Sequence, residues 1–310
     1  MLKYTVNRFI ISIFTILVVT TMIFFLIRLL PGDPFNSDRD VPQQVRANML
    51  AKFGLDKPLG MQYLIYMKNI VTKGDMGPSM KYLQRTVSGI IAYSFPASAK
   101  VGSLVILASL IAGANLGILA ALKNGKALDR AAMALATLGV TIPPFVLANL
   151  LILLFSVHWK LLPPTGYGGV RYLIMPAISL AGYSTAFITR LTRSKYLEVA
   201  NQDYVRTAKA KGLSKFQVTF KHSLRNAMIP VVSYLGLQVA AVLTGSFVVE
   251  TIFAIPGLGR EFVTSISNRD YSLILGVSIF YCMIIILCNF AVDILYVCID
   301  PRIKFDNIDI

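Results

Sequence analysis

Charge is scarce in this chain. Of 310 residues only 15% are Asp, Glu, Lys or Arg, against about 25% in an ordinary soluble domain. Acids are the scarcer sign, 15 Asp and Glu against 30 Lys and Arg. Histidine occurs only as His158 and His222, and cysteine only as Cys282, Cys288 and Cys298. The cysteines share one late apolar run, so they give no disulfide framework and read as small packing residues of a helix. HExxH, CxxC and GxSxG are absent, which removes the common zinc, redox and serine-nucleophile signatures. GxxxxGKS/T is absent as well, so the chain has no phosphate-cradling loop of its own for ATP.

What fills the space is oil. The sequence is 55% hydrophobic and its mean hydropathy is +0.66, which places it in a bilayer as one integral unit. A spanning helix takes about 20 apolar residues. Six runs qualify or nearly so: Phe9 to Leu30, Val101 to Leu122, Ala131 to Val157, Tyr172 to Thr189, Met228 to Val249 and Leu273 to Val297. The first is too long for a signal-peptide core and lacks its small-residue exit, so a retained span is expected, with Arg28 snorkelling at its end. The second holds Gly113 and Gly117 in GxxxG spacing, which permits close helix approach. The third is interrupted by Pro143 and Pro144, where a kink facing a cavity and a bend with only packing consequences are both open.

Six spans put both termini on one side, and loop charge says which. That side carries sixteen Lys and Arg, nine of them between Arg190 and Arg225; the short loops opposite carry four. The positive-inside rule makes the richer side cytoplasmic and puts residues 31–96 outside, where a long loop translocates regardless of its charge. Within 31–96, Val45, Met49 and Phe53 and then Leu64, Met67 and Val71 recur at helical spacing, predicting two short amphipathic helices: a lid on the spans or a platform for an outside partner. The expected layout is residues 1–30 for the tail and first span, 31–96 for the outer segment and 97–190 for spans two to four. An inner loop over 191–227 and the last two spans with the tail over 228–310 complete it.

The inner loop has a definite grammar. In DYVRTAKAKGLSKFQVTFKHSLRNAMIP, residues 203–230, six Lys and Arg accompany one acid. Tyr204, Val205 and Ala208 make a small apolar stripe, Gly212 sits where a helix end takes a left-handed residue, and Ser214 with Gln217 has capping-box spacing. Phe216, Phe220 and Leu224 continue at i, i+4, i+8 and predict a second helix. Three readings stand: a solvated polybasic loop holding anionic lipid, a DNA-reading helix-turn-helix, and a shaped plug that docks into a cytoplasmic partner. Spans close on either side leave the second little reach into a groove.

These stretches resemble the inner-membrane permease subunit of binding-protein-dependent ABC importers, in the dipeptide/oligopeptide/nickel branch, and most of all its oligopeptide B-type subunits. RTAKAKGLSKFQVTFKHSLRNAMIP (206–230) is similar to the branch's EAA motif, with Arg206, Thr207 and Ala208 in the EAA slots and Gly212 at the family's glycine. The acid of the first slot is missing, and Arg225 stands where the generic motif has proline, which comes instead at Pro230. RLLPGDPF (28–35), GLDKPLGMQYLIYMKNIVTKGDMGPS (54–79), ETIFAIPGLGREFVTSISNRDY (250–271) and VDILYVCIDPRI (292–303) extend the likeness over nearly the whole chain, in family order.

The resemblance implies an all-α integral membrane protein with type I importer architecture, located in the inner or plasma membrane with both termini cytoplasmic. It implies half of a translocation path for oligopeptides or dipeptides. The other half would be a second homologous permease, with two ABC ATPase subunits holding ATP and Mg, an extracytoplasmic solute-binding protein, and no nucleic acid. The chain itself would bind no cofactor and catalyse nothing. Arg206, Thr207, Ala208, Lys209, Ala210, Lys211, Gly212 and Leu213 would form the coupling helix that meets an ATPase.

Polar residues in the spans supply the remaining candidates. Asn115, Thr141, Pro143, Pro144 and Asn289 are expected to line a pore, and Pro256, Gly257 and Gly259 to form a gate or a tight external corner. Glu250 is expected to anchor that corner, and Asp293, on one helical face with Asn289 and Tyr296, to make a structural pairing near Arg302 and Lys304. Within the family, nickel or another small solute is the alternative cargo. A stand-alone ion-coupled carrier or channel would want ionisable residues at mid-bilayer, and here they sit only near span ends. A membrane enzyme would want a nucleophile or a metal set, and neither is evident.

Overall fold

The computed structural model describes the backbone of residues 2–29, 35, 42–82 and 84–299, with side chains throughout these except 2–5, 215 and 292–299. The described residues form helices joined by short turns, with one isolated bridge between Pro78 and Thr86. Four helices are long and apolar enough to cross a bilayer: Val6–Leu29, Val87–Leu122, Val170–Ala200 and Tyr271–Ala291. Two bent pairs, Ala127–Thr141 with Pro144–His158 and Val218–Ala227 with Ile229–Leu243, raise the number to six if each is one span. The chain divides into two compact units, one of residues up to 97 with 256–287, the other centred on 98–255. The breaks at 97/98 and 287/288 fall inside long helices, and the one at 255/256 falls in a turn.

The first unit holds α1 (Leu2–Leu29), α2 (Gln43–Lys52), α3 (Leu59–Lys73) and the start of α4 (Val87–Leu122), then α13 (Leu258–Ser267) and the start of α14 (Tyr271–Ile299). Pro42 and Pro58 immediately precede α2 and α3, where a fixed φ and a missing N–H suit a helix start. Gly74 closes α3 in the left-handed region, φ 62°. The two short helices pack through Met49, Leu50, Tyr63 and Tyr66 onto a core of Phe24, Ile27, Ile274 and Leu275. The expected stripe of α3 is not the buried one. Leu64 and Val71 are exposed, while Gln62 is buried and its amide donates to the Leu55 and Lys57 carbonyls. A polar residue goes inward because every donor it buries is matched.

An acid fastens this unit. Asp270 is 1% exposed. Its carboxylate accepts from the Ser79 hydroxyl, from Met80 N at 3.1 Å and Lys81 N at 3.4 Å, and from Leu273 N at 3.1 Å. The segment before α4 is thereby tied to the first turn of α14. Next to it α4 and α14 touch closely: a Cβ on Gly276 would fall 2.2 Å from Val87 Cγ1.

The second unit holds the rest of α4, then α5 (Ala127–Thr141), α6 (Pro144–Leu151), a π-helical turn Ile152–His158 and α7 (Val170–Ala200). It continues through α8 (Asp203–Ala210), α9 (Lys215–Gln217), a second π-helical stretch Val218–Leu224, α10 (Arg225–Ala227), α11 (Ile229–Leu243) and α12 (Phe247–Ile252). The GxxxG spacing is a real contact. A Cβ on Gly117 would lie 2.6 Å from Thr192 Cβ, and one on Gly113 2.8 Å from Ile188 Cβ, so α4 and α7 meet backbone to backbone. Gly139 of α5 meets Gly182 of α7 in the same way, 2.7 Å from its carbonyl oxygen. Arg193 of α7 donates to both carboxylate oxygens of Asp129 at 2.7 and 2.8 Å, and Gly125 N donates to the same acid.

The spans depart from their expected bounds in instructive ways. The second helix begins at Val87 and carries Pro96 inside it, and the fourth runs on to Ala200. The third run is not a kinked rod but two helices at 104°, parting at Ile142 and Pro143. The fifth stops at Leu243, because Gly245 takes φ 81° before α12 resumes.

Candidate functional site

The basic loop between α7 and α11 is an ordered elbow. Gln202, extended at φ −71° and ψ 150°, starts α8. Val205 and Ala208 turn inward, 0% and 4% exposed, and pack on Val218 and Val199. Burial of a valine is worth about 2 kcal/mol, enough to seat one turn of helix but no more. The rest of α8 faces out. Of the expected coupling residues, Arg206, Thr207, Lys209, Ala210, Lys211, Gly212 and Leu213 are exposed and only Ala208 is buried.

Gly212 stands at φ 75° with no atom within 4 Å of where a Cβ would be. The turn therefore needs glycine for its backbone and not for space. Ser214 and Gln217 form the capping box: Ser214 N donates to Gln217 Oε1 at 3.2 Å, and Gln217 N to Ser214 Oγ at 3.3 Å. The Asn226 amide donates to the Tyr204 hydroxyl at 2.8 Å, which ties α8 to α10.

The structure turns Phe216 and Phe220 outward and leaves Leu224 half-buried. Phe216 and Phe220 are 70% and 47% exposed, their rings tilted at 34° with centroids 4.5 Å apart. The inward face is Val218, Thr219 and Ser223. The i, i+4 pair keeps a common face, the outer one, and continues into the π-helical Val218–Leu224. The outward result is an exposed apolar pair on the loop that also exposes Lys209, Lys211 and Lys221.

The pore candidates are less gathered. Asn115 donates to Ile111 O and Thr141 to Thr137 O, each on its own helix and exposed. Pro143 and Pro144 build the sharp start of α6. Asn289 is half-buried, whereas the side chain of Asp293 lies outside the described residues. Gly257 precedes α13 at φ −93°, a value open to any residue, and Gly259 is buried in its first turn. Glu250, 2% exposed, accepts from the Ser98 hydroxyl at 2.7 Å, and its backbone carbonyl takes the Ile255 N–H at 2.8 Å. It thus holds the entry to the corner and reaches α4 as well.

Sequence reading missed the Asp129–Arg193 pair, the Asp270 clasp and the buried Ser109–Gln238 contact, 3.2 Å long. The partners stand 64, 190 and 129 positions apart. No helical period links such residues. The one local signal is an acid in an apolar setting.

The chain's similarity to known proteins runs from end to end. Residues 113–305 match the family described as binding-protein-dependent transport system inner membrane component, and residues 1–111 match its N-terminal family. The dipeptide transport system permease protein DppB of Bacillus subtilis is 47% identical over 304 residues, 98% of each chain. The oligopeptide transport system permease protein OppB is 42% identical in Haemophilus influenzae, over 98% of this chain and 100% of that one. In Escherichia coli K12 it is 41% identical with the same coverage. Among solved structures, the inward-facing MetNI methionine ABC transporter aligns with a TM-score of 0.55 at 17% identity, over 68% of this chain and 96% of that one. An amino acid ABC transporter aligns at 0.53 and 14%, over 67% and 94%. At such identities these two speak for the fold alone.

Proposed function

The chain belongs to the family of binding-protein-dependent transport system inner membrane components, and from that premise we propose that it passes dipeptides or oligopeptides across the inner membrane as one of two paired permeases. The full-length likeness to dipeptide and oligopeptide permeases supports peptide as the cargo over nickel. The partners in this reading are a second homologous permease, two ATPase subunits that hold ATP and Mg, and an outer solute-binding protein. Both termini face the cytoplasm, supported by the basic loops.

The observation that carries the reading is the elbow itself: a cationic helix with an apolar heel, closed by a left-handed glycine and a filled capping box. A free polybasic tail needs none of this order. A ligand shifts a conformational equilibrium only through its differential affinity for the two states. ATP bound between the partner subunits has such a difference. A stiff knob seated in them moves with them and tilts α7 and α11, to which it is joined. Within Arg206 to Leu213 the exposed residues are the contact surface in this account, and Ala208 seats the helix from within. Asn115, Thr141, Pro143, Pro144 and Asn289 border the path, Pro256, Gly257 and Gly259 form its gate or outer corner, and Glu250 and Asp293 brace their helices.

Reconstitution tests the proposal. Liposomes holding the permease pair, the ATPases, the binding protein and internal ATP should accumulate labelled peptide. Vesicles lacking the ATPases should not. Accumulation without nucleotide would instead mark a stand-alone carrier.

A further inference from the structure

At the end of α1 the first unit encloses a cavity of about 280 Å³, bordered by Arg28, Lys52, Gln62, Tyr66 and Asn69. Among the described residues no carboxylate borders it. Arg28 does not snorkel to solvent as its position at the span end suggested. Its guanidinium folds back over the Phe24 ring, 3.4 Å from the centroid, donates from Nε to Gln62 Oε1 at 2.9 Å and from one Nη to Phe24 O at 3.2 Å. Gln62 is itself held by two backbone carbonyls. The guanidinium is thus fixed in place, and among the described residues it has no ion pair and leaves donors unused. Beside it the Tyr66 hydroxyl is buried without a hydrogen-bond partner. Burial pushes the Tyr66 phenol above its ordinary pKa, partly countered by Arg28, so it stays a neutral donor. A half-buried cation and an orphan donor, around a cavity that no carboxylate of the described residues borders, are complementary to an anion.

The same helix offers the other half of a ligand. A groove of about 450 Å³ runs along α1, bordered among the described residues by Leu17, Val18, Thr21, Met22, Phe25, Leu26 and Leu29. Arg28 follows Leu17 and Thr21 by three and two helical turns, so one face of α1 leads from groove to cavity. Apolar length below and a fixed guanidinium at the span end fit one occupant. We propose that α1 holds a phospholipid, its phosphate on Arg28, Tyr66 and Lys52 and an acyl chain along Leu17 to Leu29. Guanidinium binds phosphate with two parallel hydrogen bonds, and the end of a span lies at headgroup height. The proposal rests on the membrane reading of the chain and not on its cargo.

Native mass spectrometry of the detergent-solubilised transporter, titrated with phosphatidylglycerol, tests it. Wild type should retain the lipid through delipidation. Arg28→Ala should bind it about tenfold more weakly, with Arg28→Lys between. Leu26→Trp blocks the groove without touching the cavity and should weaken lipid binding too. Equal lipid retention by wild type, Arg28→Ala and Leu26→Trp would overturn the proposal. So would displacement of the bound species by millimolar inorganic phosphate with Leu26→Trp inert, which would mark a free-anion site. If Arg28→Ala fails to accumulate, Leu26→Trp decides alone. A transporter that holds lipid but imports no peptide would refute the proposed function and leave this site standing.

Discussion

Two pairs of short helices lie outside the long spans, and they are built on opposite plans. The α2–α3 pair is held from within. Tyr63 and Tyr66 pack on Phe24, Gln62 is fully bonded in the interior, and the segment that follows is tied to Asp270. The elbow of α8 with the π-helical stretch rests on a small heel of Val205, Ala208 and Val218 and on the Tyr196–Thr219 and Asn226–Tyr204 hydrogen bonds, and it turns its cations and two phenylalanines outward. The first pair spends its chemistry on its own chain. The second keeps its chemistry for something else, which is what a docking element requires.

Breaking the clasp should give the largest effect. Asp270→Ala orphans the buried Ser79 hydroxyl and several backbone N–H groups, at a cost of about 3 kcal/mol or more. Chemical or thermal unfolding of the purified chain should show it, with Asp270→Asn milder. A smaller loss is expected where α4 meets α7. Gly117→Val drives a side chain into Thr192 and the Thr189 carbonyl, and overpacking of this kind costs about 1–3 kcal/mol. The Thr192→Ala background should recover part of it.

The elbow should answer differently. Gly212→Val meets no neighbour and costs only the left-handed backbone, about 1 kcal/mol. Asn, which tolerates that region, should cost less. The paired Phe216→Ser, Phe220→Ser change should move the unfolding midpoint least, within about 0.5 kcal/mol, since both rings are exposed. Co-purification with the ATPases should nonetheless fall. Unchanged assembly together with a large stability loss would erase the contrast between the two pairs.

Much of this was legible in the sequence, for physical reasons. Long apolar runs have no other stable place, so the spans announce themselves. Gly212 and the Ser214–Gln217 spacing are local rules and appear as written. Which face turns inward was less legible. The inner face of the second helix is Val218, Thr219 and Ser223 with the phenylalanines outward, and Gln62 went inward because distant groups satisfy it. The ends of spans three and five turn on Pro143 and Gly245, whose effect on direction depends on packing that no window of residues contains. Asp270 and Asp129 find their partners by tertiary fold alone.

The central claim is that the elbow's shape converts ATP use into transport. The direct measurement is the ratio of peptide imported to ATP hydrolysed in proteoliposomes of the assembled transporter, compared across Gly212, Gly212→Asn and Gly212→Val. The account predicts that Asn keeps most of the ratio while Val, correctly assembled and still hydrolysing ATP, loses at least tenfold. An unchanged ratio in Gly212→Val would contradict it.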